Sequence, residues 1–257
     1  MFPLKDNIPT ESFPVVTVAL MVINVLAYFF FQHGEITLGD PSNAAYVNNL
    51  WDYAYIPREL TDGVQCQPAG SVGVRCTHED SGLPALYITV FTSLFMHGGL
   101  LHLAGNMLFL WIFGNNVEDS MGPVKFLIFY LLAGLAATGL QTVIDTSSAV
   151  PNIGASGAIA GVLGGYLLLF PRARVVTVIF IIFFFTIVEL PAMIFLVIWF
   201  GQQILFGYLG LTSGTGDGGG VAYFAHIGGF AFGLLAIRLF ASERRRQRQI
   251  ERVGGLA

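Results

Sequence analysis

The stretch Gly154-Ala155-Ser156-Gly157-Ala158-Ile159-Ala160-Gly161, continuing without a charge to Phe170, decides how the rest of the chain is read. It is apolar enough for a membrane helix, yet it is built of small residues and has a serine near its start. Gly157, Gly161 and Gly165 recur every four residues and share one helix face, which lets a second helix backbone come close. Packing accounts for the glycines but does not require the serine. A serine at a helix N-terminus sits beside backbone N–H groups that lack an intrahelical partner. Those donors and the helix dipole suit a developing oxyanion. Ala158 stands where the nucleophile elbow of soluble hydrolases has its second glycine, so this is not that elbow.

Working outward, the 257 residues are 54% hydrophobic and only 11% charged, against about 25% charged in an ordinary soluble domain. Such a composition excludes a disordered chain, a disulfide-dense secreted module and a basic nucleic-acid binder. It implies an all-α membrane protein crossing the bilayer several times. A membrane helix needs about 20 apolar residues, and the qualifying runs are 13–31, 94–113, 123–143, 154–170, 175–209 and 221–241. The first run has no small-residue cleavage site after it and reads as a retained span, not a removed signal peptide. The expected organisation is a short N-terminal segment 1–12, a six-span bundle 13–241 with an external loop 33–87, and a basic tail 242–257.

Orientation follows from lysine and arginine. With both termini cytoplasmic and six crossings, ten of the twelve basic residues lie inside, leaving Arg58 and Arg75 in the external loop. The run 175–209 resists a simple count: as one helix it would be about 52 Å long, too long for one crossing and too short for two. Glu189 near a helix start and Pro191 in a first turn place the fifth span at 190–209. Residues 175–187 would then lie at the cytoplasmic boundary or pack on the bundle. Cys66 and Cys76, both in the external loop, are expected to pair in an oxidising compartment; two free thiols or a transient metal pair are the other readings.

Polar residues inside membrane helices are costly and point to function. His102 and Asn106 share a helix face at i and i+4, either as interhelical hydrogen-bonding groups or as part of a site. His97 is off that face and reads as structural. His226 shares a face with Gly229 and Gly233. In the topology above, the second, fourth and sixth spans run the same way, and His102, Ser156 and His226 fall in the outer part of each. A nucleophile, a base and side-chain donors therefore converge at one depth.

These residues, as His102-x-x-x-Asn106, Gly154-x-Ser156-Gly157 and Ala225-His226-x-x-Gly229-x-x-x-Gly233, resemble the motifs of the rhomboid family of intramembrane serine proteases. The resemblance implies a six-transmembrane-helix bundle of the rhomboid type. It implies Ser156 as nucleophile, His226 as general base, and an oxyanion hole made by the Ser156 amide, Asn106 and His102. Gly229 and Gly233 would pack the sixth span on the fourth, and Gly157 and Gly161 are helix-packing residues as well. The activity implied is an intramembrane endopeptidase acting on transmembrane substrates in the lipid bilayer, without cofactor, metal or nucleic acid. The site would open to the outer side, with the plasma membrane as the expected location. Two features depart from the family pattern. Ala160 stands where some members have a tyrosine stacked on the histidine, so another group must orient His226. A Trp-Arg pair found in some members is missing from 33–87. Asp145, Asp217 and Glu189 are poorly placed to orient His226. A transporter or channel using intramembrane His and Asn, and a non-proteolytic rhomboid-like chaperone of membrane proteins, are the alternatives from other classes.

Overall fold

The computed structural model describes residues 1–37, 41–69, 73–78, 86–181, 184–212 and 221–254. The chain opens with strand β1 (Phe2–Asp6), then α1 (Val15–Leu26), which continues as a π-helical turn to Phe31. A connecting segment holds α2 (Ala44–Tyr53), α3 (Pro57–Asp62), the antiparallel pair β2 (Gln65–Ala69) and β3 (Gly73–Thr77), and α4 (Leu86–Thr92). Next come α5 (Leu100–Phe109), a π-helical turn Leu110–Gly114, α6 (Asn115–Met121), α7 (Pro123–Ile144) and α8 (Ser156–Leu169). The strands β4 (Arg174–Ile181) and β5 (Phe184–Pro191), then α9 (Ala192–Thr212), α10 (Tyr223–Phe240) and α11 (Glu243–Gly254) complete it.

The molecule is mostly helical. Among the described residues, four helices are long and apolar enough to cross a membrane: Leu100–Met121, Pro123–Ile144, Ala192–Thr212 and Tyr223–Phe240. Val15–Phe31 and Ser156–Leu169 are shorter apolar helices. Val143, Leu235 and Leu239 are more than 70% exposed, so the outer faces present bare hydrocarbon side chains. Such a surface suits lipid, not water. By contrast α8 is buried on nearly every side, with only Ser156, Leu167 and Leu168 even partly open.

The expectation of an all-α chain is corrected at 174–191. β4 and β5 pair in antiparallel register from Arg174↔Pro191 to Ile181↔Phe184, and β1 adds a third strand in the order β1-β4-β5. The run Val175-Val176-Thr177-Val178-Ile179 is β-branched throughout, which favours strand over helix. An antiparallel pair also resolves the awkward length. Glu189 and Pro191 accordingly lie in β5, not in a helix; α9 starts at Ala192, whose N–H donates to Ala173 O at 2.7 Å. Glu189 instead faces Arg174 at 3.3 Å in an exposed ion pair, which adds little stability.

A second correction concerns the run placed at 94–113. Ser93–Phe95 is a 3-10 turn, Gly98 and Gly99 interrupt, and the helix runs from Leu100 to Met121. Its last turns carry Glu118 and Asp119, which are buried because they cap another element. The N–H groups of Val16 and Thr17 donate to the Glu118 carboxylate at 2.9 and 2.7 Å, and Asp119 accepts from Glu11 N–H at 2.7 Å. A carboxylate at the start of α1 satisfies orphan donors and complements the helix dipole.

Contacts sort the connections into two ends. At one end β1 joins β4, Ser242 N–H donates to Ser120 O at 2.9 Å, and Gln249 on α11 reaches Asp119 at 3.1 Å. Asp6 there accepts from Asn116 at 2.7 Å and from the Tyr166 hydroxyl. At the other end Tyr55 and Asn152 form a two-way backbone bridge, and Arg58 N–H donates to Ser148 O at 3.0 Å. Cys66 and Cys76 are joined by a disulfide across the β2–β3 pair.

Three outcomes are expected. Thiol alkylation should label Cys66 and Cys76 only after reduction, and reduction should cost about 3 kcal/mol of stability in the loop-closure view; equal labelling without reductant overturns the pairing. Because Arg174 pairs with Pro191, the strand pair leaves on the side where it entered. A cysteine at Glu189 should therefore be labelled by an impermeant reagent from the same side as one in α11; opposite labelling contradicts it. Finally, burial pushes the Asp6 carboxyl from 3.8 up to about 7. A raised pKa means the native state holds a proton that the unfolded chain releases, so this contribution is complete below about 4 and lost as pH rises through about 7. Thermal stability should fall from pH 5 to pH 8, and Asp6→Asn should flatten that slope; an unchanged slope in the variant removes Asp6 as its source.

Candidate active site

Ser156 is the first residue of α8. Gly154 precedes it with φ +127°, a conformation that side chains rarely adopt, and its N–H donates to Ser93 O at 2.9 Å. The chain thus enters α8 through a bend pinned to the segment before α5. The helical ladder opens with Ile159 N–H donating to Ala155 O at 2.9 Å. The amides of Ser156, Gly157 and Ala158 therefore precede the first N–H that donates within the helix.

The position of His226 is set by how closely α10 lies on α8. A Cβ on Gly229 would stand 1.9 Å from Gly157 O, and one on Gly233 would stand 2.0 Å from Gly161 O. From the other side, a Cβ on Gly164 would stand 2.2 Å from Phe230 O. Any larger residue at these points would force the two backbones apart. One turn before this contact, His226 Nε2 lies 2.8 Å from Ser156 Oγ. Both residues are half-buried.

The far nitrogen of His226 has a partner from a third helix. Gln203 on α9, itself buried, places its Oε1 2.9 Å from His226 Nδ1. The Trp199 ring, one turn earlier on α9, lies 5.9 Å from the His226 ring. Neither residue figures in the sequence reading, although an amide pair, Gln202-Gln203, inside an apolar run carries the same cost signal that singles out the histidines. Asp145 follows the end of α7 and Glu189 lies in β5, while Asp217 lies outside the described residues.

His102 and Asn106 are both on α5. The His102 Nδ1 accepts from Gly98 N–H at 3.2 Å, so in the neutral ring the proton is on Nε2. A Cβ on Gly154 would stand 3.0 Å from His102 Nε2 and 3.4 Å from Ser156 Oγ, so the ring and the hydroxyl flank the same glycine. Asn106 is 8% exposed, and its Nδ2 has no hydrogen-bond partner among the described residues. A buried unpaired donor costs about 1–3 kcal/mol and calls for an explanation. His97 sits before α5, not within a span. Its carbonyl accepts from Gln32 at 3.2 Å and from Tyr46 at 3.0 Å, while its ring packs edge-on against His102 at 5.2 Å.

Beside Ser156 is a cavity of about 30 Å³, lined by Tyr55, Thr138, Gln141, Asn152 and Ser156 among others. That volume holds a water molecule or two. Gln141 on α7 also accepts from Ala225 N–H at 3.2 Å, which steadies the start of α10. Among the described residues no three His, Cys, Asp or Glu side chains gather as a metal site.

The Rhomboid domain profile matches residues 84–243, which contain His102, Asn106, Ser156, Gln203 and His226. The mitochondrial Rhomboid protein 1 of Saccharomyces cerevisiae is 29% identical over 180 residues, covering 65% of this chain and 46% of that protein. The mitochondrial presenilin-associated rhomboid-like protein of Bos taurus is 35% identical over 96 residues, 37% of this chain and 26% of its own. Rhomboid protease GluP of Bacillus subtilis is 42% identical over 78 residues, 30% of this chain and 15% of that protein. The match thus spans less than half the length of each of these relatives. Two of them are named as mitochondrial, so the comparisons lend the plasma membrane no support. With the profile covering well over half of its residues, the chain belongs to the rhomboid family.

Proposed function

We propose that this chain is an intramembrane serine endopeptidase that hydrolyses peptide bonds in or beside transmembrane helices of substrate proteins. The observation that carries the reading is the 2.8 Å contact between His226 Nε2 and Ser156 Oγ at the N-terminus of α8. In this reading Ser156 Oγ attacks the scissile carbonyl carbon while His226 Nε2 takes its proton. The oxyanion is met by the Ser156 N–H, by the unpaired Asn106 amide and by the His102 Nε2–H. Collapse breaks the C–N bond, and His226 returns its proton to the leaving amine. Water, deprotonated by His226, then attacks the ester on Ser156, releasing the carboxylic product and restoring the hydroxyl.

The same reading takes all six apolar helices as crossings. The end bearing β1 and α11 is then cytoplasmic, as the arginines of α11 favour. The segments are those expected from the sequence: 1–12 and 242–257 at the cytoplasmic face, 33–87 outside, and the bundle between. Ser156 opens toward the outer end. At 14 residues, α8 is only about 21 Å long, shorter than the hydrocarbon core of about 30 Å. Its N-terminus therefore lies below the outer surface, where water reaches it through the cavity at Thr138 and Gln141. A substrate helix must unwind locally there, because a helical carbonyl is hydrogen-bonded and not presented for attack.

The test is cleavage of a model single-span substrate by detergent-purified protein, with fluorophosphonate labelling of the same samples. Ser156→Ala should lose both. Asn106→Ala should label slowly and cleave about 10²–10³-fold more slowly per folded molecule, the usual cost of one oxyanion donor. Wild-type protein that neither cleaves nor labels overturns the proposal, and wild-type turnover in Asn106→Ala removes Asn106 from the oxyanion hole.

A further inference from the structure

We propose that Gln203 is the positioning residue of the dyad, holding His226 in the Nδ1–H tautomer so that the Nε2 lone pair faces Ser156. The inference rests on the hydrolytic reading of the site and adds a third member to it, drawn from a helix outside the three that carry Ser156, His226 and Asn106.

The hydrogen-bond geometry leaves one consistent assignment. Gln203 Nε2 donates to the Trp199 carbonyl at 3.2 Å, one turn back on α9. Turning the amide over would set its oxygen against that carbonyl, acceptor against acceptor. The oxygen Oε1 is therefore the atom 2.9 Å from His226 Nδ1. An amide oxygen only accepts, so Nδ1 must carry the proton. A neutral imidazole has one N–H, which leaves Nε2 as the acceptor for the Ser156 hydroxyl at 2.8 Å. The opposite tautomer would bury Nδ1 and Gln203 Oε1 as two facing acceptors and present Ser156 with a donor, stalling proton abstraction.

An amide in this place also answers a physical constraint. A carboxylate would stabilise the imidazolium more strongly, but an unpaired charge at this depth is expensive. The buried Gln203 orients the ring at the smaller cost of a neutral polar group, and its two polar atoms are both paired. When His226 gains its second proton, the bond from Nδ1–H to the Gln203 oxygen becomes charge-assisted and tightens. The Trp199 ring beside His226 limits ring movement on the same side. Together they supply the orientation for which Ala160 has only a methyl group to offer.

The experiment compares wild type, Gln203→Met and Gln203→Glu. Met fills similar volume without an acceptor, and Glu restores one. Histidine-selective ¹⁵N NMR of the detergent-purified protein, with His226 assigned by its loss in His226→Asn, should show the Nδ1–H tautomer in wild type. The Met variant should show Nε2–H or a mixture, and its fluorophosphonate labelling of Ser156 should slow by on the order of 10²-fold per folded molecule. The Glu variant should recover most of that rate. Two results overturn the inference: wild-type His226 protonated on Nε2, or a folded Met variant that labels as fast as wild type. If the Met variant does not fold, the wild-type spectrum alone decides. A wild type that shows the Nδ1–H tautomer yet never labels would sink the hydrolytic reading while leaving the positioning contact intact.

Discussion

The structure depends most on the glycine contact between α8 and α10. In lipid there is no hydrophobic drive to bring one apolar helix onto another, because the tails are as apolar as the side chains. Association then relies on close packing, in which many small dispersion contacts add up only if the backbones nearly touch. Gly157 and Gly161 facing Gly229 and Gly233 make that approach, with carbonyl oxygens occupying the space a side chain would need. Because His226 is one turn from this contact and Ser156 begins the other helix, the packing distance also sets the distance between Ser156 and His226. Helix α7 closes the remaining side, where Ala133 and Ala137 meet Gly161 and Gly157.

The irregular entry into α8 has a cost that the segment bearing α2 to α4 offsets. Irregular backbone at membrane depth survives only where it is buried in protein or lines water. The approach to Ser156 is irregular from Asp145 to Ala155, and its polar groups are met one by one: Asn152 by Tyr55, Ser148 by Arg58, Gly154 by Ser93. The segment bearing α2 to α4 is thus part of the support of Ser156. Its own rigidity comes from the disulfide between β2 and β3 and from Cys66 N–H donating to Glu59 at 2.8 Å.

The two ends of the bundle handle polarity in opposite ways. At the end with β1 and α11, charged groups are buried as caps, with Glu118 and Asp119 holding the start of α1. Around Ser156 the contacts are neutral: an amide to His226 Nδ1, a backbone N–H to His102, an unpaired amide on Asn106. Neutral donors and acceptors cost less to bury than ions and keep their geometry as charge develops on a substrate. Among the described residues the Asn106 amide lacks a hydrogen-bond partner, and a developing oxyanion would satisfy it.

The sequence by itself determined what acts along the chain. Hydropathy marks the apolar runs because each must satisfy the bilayer locally, and Ser156, His102, Asn106 and His226 stand out because a polar group in such a run is costly. Only the tertiary structure decided what depends on partners distant in sequence. The sheet of β1, β4 and β5 was hidden because a continuous apolar run looks alike as helix or strand, and β1 lies more than 160 residues from β4. The second apolar run ends at 113, yet its helix continues through Glu118 and Asp119 because the chain at the start of α1 comes to them. Gln203 is 23 residues from His226 on another helix. Read alone, its amide is one more hydrogen-bonding group; the approach of α9 to α10 turns it into the acceptor that decides which nitrogen of His226 is free.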